Sequence, residues 1–271
     1  MRHTLLTEFM IQAPYQPATN YWRAVEVEEV IKRGLPEGRG LDLGCGDGHL
    51  MAIILANTGA RELTGVDIDR SETVLAQKRN IYTDVVTAPG DCLPFPDSHF
   101  DFVFSNSVLE HIQNILDVLK EVRRVLKPKG HFVFTVPGPD FHACLKGPRT
   151  PEMREQYLRE TDARCFHLRY WGQQEWWENL RAAGLQPVHQ HGYLTKPEVQ
   201  RWEFLASMTS VILYRLTGRR KQPIEIQRRI GIRSSKTRFP RALASLSARI
   251  LDFGSPSGNS PCGCLLIEAT K

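Results

Sequence analysis

The sequence predicts a doubly wound α/β fold, a mostly parallel sheet covered by helices on both faces. Three observations carry the prediction. From residue 40 to 136, short β-rich runs alternate with helical stretches. A glycine-rich turn at residues 44–48 joins the first of those strands to a helix. And the 271 residues, 41% hydrophobic and 24% charged, suffice for one large core while excluding a disordered, collagen-like or disulfide-stapled chain.

The elements follow in order. Gly40–Leu43 reads as the first strand and His49–Asn57 as a buried helix. Leu63–Val66 is the second strand, followed by a helix over Ser71–Asn80 with Ser71 as its N-cap. Tyr82–Thr87 and Phe100–Ser105 read as strands three and four. Ile115–Leu126 has apolar residues at helical spacing, and Pro128-Lys129-Gly130 should break the chain before a fifth strand, His131–Val136. Beyond residue 137 the rhythm changes: a polar helix over Pro151–Glu160, then an amphipathic one over Gln173–Ala183 ended by Gly184. Leu185–Tyr193 reads as strand six and Gly263–Ala269 as strand seven. About 70 residues lie between them, beginning with a helical run over Glu198–Leu216, which reads as an insertion.

The net charge of +5 is unevenly placed. Residues 217–241 hold nine basic side chains (Arg219, Arg220, Lys221, Arg228, Arg229, Arg233, Lys236, Arg238, Arg241) against Glu225, which leaves the other 246 residues at −3. The chain is mildly acidic with a basic insert. Its first residues do not read as a secretory signal. The longest uncharged apolar stretch, Phe204–Tyr214, falls short of the roughly 18 residues that span a bilayer. Six scattered cysteines without a Cys-x-x-Cys pair suit reduced thiols and a cytoplasmic setting. No metal-ligand spacing stands out.

The strongest chemical signal is LDLGCGDGH, residues 41–49. Gly44, Gly46 and Gly48 let a backbone approach a ligand closely, and the following helix aims its N–H groups at it. Asp67 ends the second strand in GVDID, placed to accept hydrogen bonds from a ribose diol. A dinucleotide fingerprint would need a third glycine where His49 stands. Asp42, beside the turn, would repel a pyrophosphate but suits the ammonium of an amino acid. The pattern therefore favours a ligand with a ribose at one end and an amino acid at the other.

These residues resemble the class I S-adenosylmethionine-dependent methyltransferases, and within them the type 11 group. The match runs over residues 22–136 and more weakly to 194: LDLGCGDGH resembles the first motif and GVDID the second. GDCLPFPDSHFDFVFSNSVLEHI (90–112) resembles the third and fourth blocks, and VLKPKGHFVFTVP (125–137) the fifth-strand block. The resemblance implies a Rossmann-like sheet of seven strands with the last antiparallel. It also implies S-adenosylmethionine as cofactor, with S-adenosylhomocysteine as product. Asp42 and the backbone of Gly44, Cys45 and Gly46 would hold the methionine moiety. Asp67 would hold the ribose, Ile68 would pack on the adenine, and Asp91 with the Cys92 N–H would meet its edge. Ser105 and His111 would line the methyl-donor end. Ordinary roles compete: a loop cap for Asp91, a strand-end hydroxyl for Ser105, a space-filling side chain for Cys45.

A hydroxyl acceptor would need a general base, for which His111, His142 and His167 are candidates, His111 first. Tyr15, Tyr21 and Trp22 precede the first strand, and the resemblance implies a lid there. The expected organisation is residues 1–38 as an N-terminal lid, 39–194 plus 261–271 as the catalytic core, and 195–260 as a helical, basic insertion. On the Glu198–Leu216 helix, Trp202, Leu205, Met208, Ile212 and Leu216 share a face that either buries or meets a membrane. The expected reaction is methyl transfer to a small or lipid- or saccharide-linked acceptor, at oxygen rather than at nitrogen or carbon, since strand four ends in SNSV and not in an N-P-P-Y type motif. Peripheral contact with an anionic membrane through 198–241 is one reading beside burial of that face and a solvated basic loop, and nucleic acid is disfavoured because no recognition motif accompanies the charge. Two rivals stand: an NAD(P)-dependent dehydrogenase on a similar sheet, and a non-catalytic S-adenosylmethionine-binding protein.

Overall fold

The computed structural model of the chain describes residues 1–216, 218, 239–252 and 261–271. In chain order the elements are α1 (Arg2–Gln12), α2 (Pro17–Arg33), β1 (Gly40–Leu43), α3 (His49–Thr58), β2 (Leu63–Asp67), α4 (Arg70–Gln77) and β3 (Asp84–Thr87). There follow β4 (Phe100–Asn106), α5 (Ile115–Val125), β5 (Leu126–Pro137), α6 (Phe141–Cys144), α7 (Pro151–Cys165) and α8 (Gln173–Ala182). The last are β6 (Gln186–Thr195), α9 (Lys196–Met208), α10 (Ser210–Leu216), α11 (Arg241–Leu251) and β7 (Cys262–Thr270). They fall into two compact units, one of residues 29–139, 168–192 and 264–271, the other of 1–28, 140–167 and 193–263.

The first unit is built on the sheet. It has seven strands, as the resemblance implied, in the order β3-β2-β1-β4-β5-β7-β6. β1 pairs in parallel with β2 and β4, β2 with β3, and β4 with β5, while β7 is antiparallel to β5. β1, β2, β4 and β7 are buried over almost their whole length because both faces are covered there. Phe100, Phe102, Phe104, Phe132 and Phe134 are fully buried, each burial being worth about 1.5–3 kcal/mol. The apolar stripe of α5 (Ile115, Val118, Leu119, Val122, Val125) closes over Phe100, Phe132 and Phe134, as does Trp176 of α8, 5.0 Å from Phe134. Gly40 is required where it stands, since a Cβ there would lie 2.2 Å from the Phe102 ring.

Three details differ from the sequence reading, each for a local reason. Asp69, not Ser71, caps α4: its carboxylate accepts from the Ser71 N–H at 2.8 Å and from the Ser71 hydroxyl at 2.6 Å. Tyr82 lies outside β3, which begins at Asp84. Pro128-Lys129-Gly130 does not interrupt β5; the strand runs from Leu126 and takes up the irregularity as a register shift against β4 between Phe100 and Phe102.

The second unit holds α1, α6, α7, α9, α10 and α11. Arg2 bridges Glu28 and Glu198 within it, and Tyr193 donates to Glu26 at 2.7 Å. Tyr21 is fully buried there, and Trp22 packs on Phe141 at 5.6 Å and Trp202 at 5.3 Å. Glu198–Leu216 is not one helix: it breaks at Thr209, so the expected common face divides. Trp202 and Leu205 are buried, whereas Met208, Ile212 and Leu216 are exposed. The basic stretch 219–238 lies outside the described residues.

Candidate active site

β1 ends at Leu43 and the chain turns through residues 44–48 into α3. Gly44, Gly46 and Gly48 all adopt positive φ (79°, 52° and 73°), the left-handed region that side chains disfavour. The turn is bound to its neighbours by its own backbone. The N–H groups of Gly44 and Cys45 both donate to the Val66 carbonyl, at 2.8 and 2.9 Å, and the Gly46 N–H donates to Asp67 Oδ2 at 2.9 Å. Asp67 Oδ1 accepts from the Asp69 N–H at 2.8 Å. The carboxylate at the end of β2 thus fixes the glycine turn in addition to any ligand it meets. Asp47 accepts from the His49 N–H at 3.0 Å and pairs with Arg79 at 2.9 Å, which pins the entry to α3.

Asp42 is buried beneath this turn. Burial pushes its carboxyl up to about 7, the hydrogen bond from Tyr82 opposes that rise, and the charge of Asp67 adds to it. Tyr82 Oη donates to Asp42 Oδ2 at 2.6 Å, and its ring lies against Gly48 and Gly65: a Cβ would come within 2.9 Å of it from the first and 3.3 Å from the second. Cys45 Sγ lies over Gly65 as well, and burial pushes its thiol far up, so it is a space-filling group and not a nucleophile. Sequence reasoning missed Tyr82 and Arg79. A lone tyrosine before a strand and an arginine at a helix end carry no motif. It also missed Glu72, buried in α4, whose Oε2 lies 3.9 Å from where a Gly46 Cβ would stand.

The other expected residues occupy the same end of the sheet in different ways. Ile68, directly after Asp67, is 75% exposed, a large apolar side chain left open at a strand's carboxyl end. Asp91 and Cys92 form an exposed turn after β3, with the Cys92 N–H directed to the Pro89 carbonyl at 3.3 Å. Gly90, at that turn, faces Leu43 of β1: a Cβ there would sit 3.4 Å from its side chain. Ser105 is fully buried and its hydroxyl donates to the Leu43 carbonyl at 2.9 Å, fastening β4 to the end of β1. His111 ends a 3-10 turn (Leu109–His111), half-exposed, with Nε2 3.8 Å from Glu110 Oε1. His142 and His167 belong to the other unit, where His142 pairs with Asp162 at 2.8 Å and His167 lies 5.8 Å from Phe141.

Asp42, Gly44, Cys45, Gly46 and Asp67 therefore form one connected cluster. Asp42, Asp67, Asp47 and Glu72 make its surroundings acidic, with Arg79 as the balancing cation. Such a site is hostile to a pyrophosphate and suits a ligand carrying an ammonium and a sulfonium. The open apolar face of Ile68 beside Asp67 fits an adenine ring next to a ribose.

Comparison with known proteins agrees with this geometry. Residues 41–134 match the family model of a methyltransferase domain, the type 11 family. An uncharacterised protein of Methanocaldococcus jannaschii is 37% identical over 108 residues, 40% of this chain and 49% of that protein. The sterol 4-C-methyltransferase strm-1 of Caenorhabditis elegans is 38% identical over 99 residues, 34% of this chain and 29% of its own. The chain spans about half or less of these relatives. Among solved structures, a SAM-dependent methyltransferase of Thermotoga maritima, described as a possible histamine N-methyltransferase, covers 98% of each chain with a TM-score of 0.57 at 16% identity, a likeness of fold. Residues 41–134 are thus similar to a methyltransferase domain, and the seven-stranded sheet shares the fold of that solved methyltransferase.

Proposed function

We propose that the protein transfers a methyl group from S-adenosylmethionine to a hydroxyl of a small or lipid- or saccharide-linked acceptor. The observation that carries the cofactor reading is the acid-lined glycine turn with Ile68 open beside Asp67. Bound there, the cofactor supplies an activated methyl on a sulfonium. The protein's share is alignment and the exclusion of water. Asp42 and the turn would hold the ammonium and carboxylate end, Asp67 the ribose hydroxyls, Ile68 the adenine face, and the turn at Asp91 and Cys92 its edge. Ser105, spent on Leu43, would act by fixing the end of β1 against β4.

His111 is the proposed general base. Its Nε2 would take the hydroxyl proton of the acceptor while the nearby Glu110 carboxylate stabilises the imidazolium that forms. The free cysteines suit a reducing, cytoplasmic setting. A nicotinamide-dependent dehydrogenase is the weaker reading, because His49 replaces the third glycine and acids crowd the turn. The test is calorimetry with S-adenosylmethionine and S-adenosylhomocysteine, where Asp67→Ala should weaken binding about tenfold or more. No binding, or undiminished binding in the variant, would overturn the cofactor reading. Binding without S-adenosylhomocysteine release for any hydroxyl acceptor would leave the non-catalytic alternative standing.

A further inference from the structure

The helical unit leaves large apolar side chains in solvent on the elements that flank the basic stretch. Phe204 and Met208 of α9, Ile212 and Leu216 of α10, and Leu243, Leu246 and Ile250 of α11 are between 49% and 78% exposed. Phe204 and Met208 lie one turn apart on α9, and Ile212 and Leu216 one turn apart on α10. α11 is built the wrong way round for a helix that serves only its core. It turns Ala244 and Ala248 inward, fully buried, packs on α1, and points its three large aliphatics outward. Seven exposed large apolar side chains on two neighbouring stretches of sequence exceed the scattered singletons of an ordinary surface.

Charge decides what covers them. Arg215 and Arg249 stand exposed on the same helices, as does Arg241, which pairs with Glu8 at 2.7 Å. The sequence between α10 and α11 adds eight basic residues against one acid; these lie outside the described residues and enter here as charge alone. Among the described residues no helix is long and apolar enough to cross a membrane. Apolar side chains to enter the acyl boundary, with cations to meet headgroups, is the chemistry of an interfacial contact. A nucleic acid would use the cations and leave the aliphatics without a partner.

We propose that this unit docks on an anionic lipid bilayer through the exposed faces of α9–α10 and α11. The docking uses no residue of the cofactor site, so it stands or falls separately from methyl transfer. It would hold the enzyme where a lipid-linked acceptor is carried.

Vesicle co-sedimentation of the full chain tests it, with phosphatidylcholine alone and with phosphatidylcholine mixed with phosphatidylglycerol. Binding to the mixed vesicles should exceed binding to the neutral ones by about tenfold and fall as salt is raised. Two paired variants, Met208→Glu with Ile212→Glu and Leu246→Glu with Ile250→Glu, should each lose about tenfold or more of that binding. Their circular dichroism and S-adenosylhomocysteine affinity should stay at wild-type values, which separates lost docking from lost folding. Equal binding to both vesicles, or wild-type binding by both variants, would overturn the proposal. So would a wild-type dimer in light scattering that either variant pair dissociates, because the face would then belong to a second copy of the chain.

Discussion

Asp42 carries a conditional charge, and on the proposed reading cofactor recognition depends on it. It is buried beneath the glycine turn, and its side-chain hydrogen-bond partner among the described residues is Tyr82 Oη. With a carboxyl titrating at about 7, it is charged only toward the alkaline side of neutrality. Tyr82, Asp67 and Cys45 are titratable groups that interact with it. A cationic amino-acid moiety binds the carboxylate and not the acid, so affinity for S-adenosylhomocysteine should rise with pH through about 7. The Tyr82 hydroxyl donates to the charged form and so favours it. Tyr82→Phe should move the midpoint of the pH profile upward and weaken binding at neutral pH by about tenfold. Calorimetry across the pH range checks this. An even loss at every pH, with the midpoint unmoved, would reduce Tyr82 to a packing residue. The folding linkage has the opposite sign. A carboxyl raised in the folded state favours folding most below its ordinary value of 3.8, and that contribution is lost as pH rises through about 7.

At the scale of elements, the strand–turn–helix of β1 and α3 is held by close approach as much as by hydrogen bonds. Gly44 has φ 79°, and a Cβ there would lie 2.4 Å from Val108 Cγ2. Gly44→Ala should therefore cost about 2–4 kcal/mol of stability in denaturant titration, combining overpacking with left-handed strain. In Gly44→Ala with Val108→Ala the clash is relieved while the backbone strain persists. The double variant should be less destabilised than the sum of the two single ones; strict additivity would show that Val108 is not what excludes a side chain there. The turn was legible in the sequence because its signal is local: LDLGCGDGH states strand, turn and helix within nine residues. The same holds for Asp67 and for the apolar stripe of α5. What was not legible depends on residues distant in sequence. Tyr82 reaches Asp42 across 40 positions, and Asp67 is partly spent on the Gly46 N–H. The face of Glu198–Leu216 was misread because a break at Thr209 resets helical phase, and nothing in the periodicity records it. Ser71 has the residue type of a cap but lies inside the helix: Asp69 is the cap, and its carboxylate accepts from both the N–H and the hydroxyl of Ser71.

At the scale of the molecule, the antiparallel β7 lies between β5 and β6, one strand in from the edge of the sheet, and a buried charge marks the place. Glu268 of β7 accepts from Arg33 of α2 and faces His131 Nδ1 of β5 at 2.8 Å, beside a surface hollow of about 480 Å³ that leaves both partners partly in water. Burial alone would raise the Glu268 carboxyl, but the hydrogen bonds and charges of Arg33 and His131 outweigh it and hold the group below its ordinary value of 4.5. A carboxyl lowered by folding stabilises the native state above its unfolded value, and that stability is lost as pH falls through the folded value. Glu268→Gln should thus lower stability near neutral pH by about 1–2 kcal/mol, discounted for the solvent that screens Arg33 and His131. The gap between variant and wild type should close as pH falls below 4.5. His131→Ala is expected to show part of the loss, since Arg33 still meets the carboxylate. Thermal melts at several pH values decide the matter. A gap that persists undiminished in acid would mean that Glu268 acts through its shape in the β5–β7 seam and not through its charge.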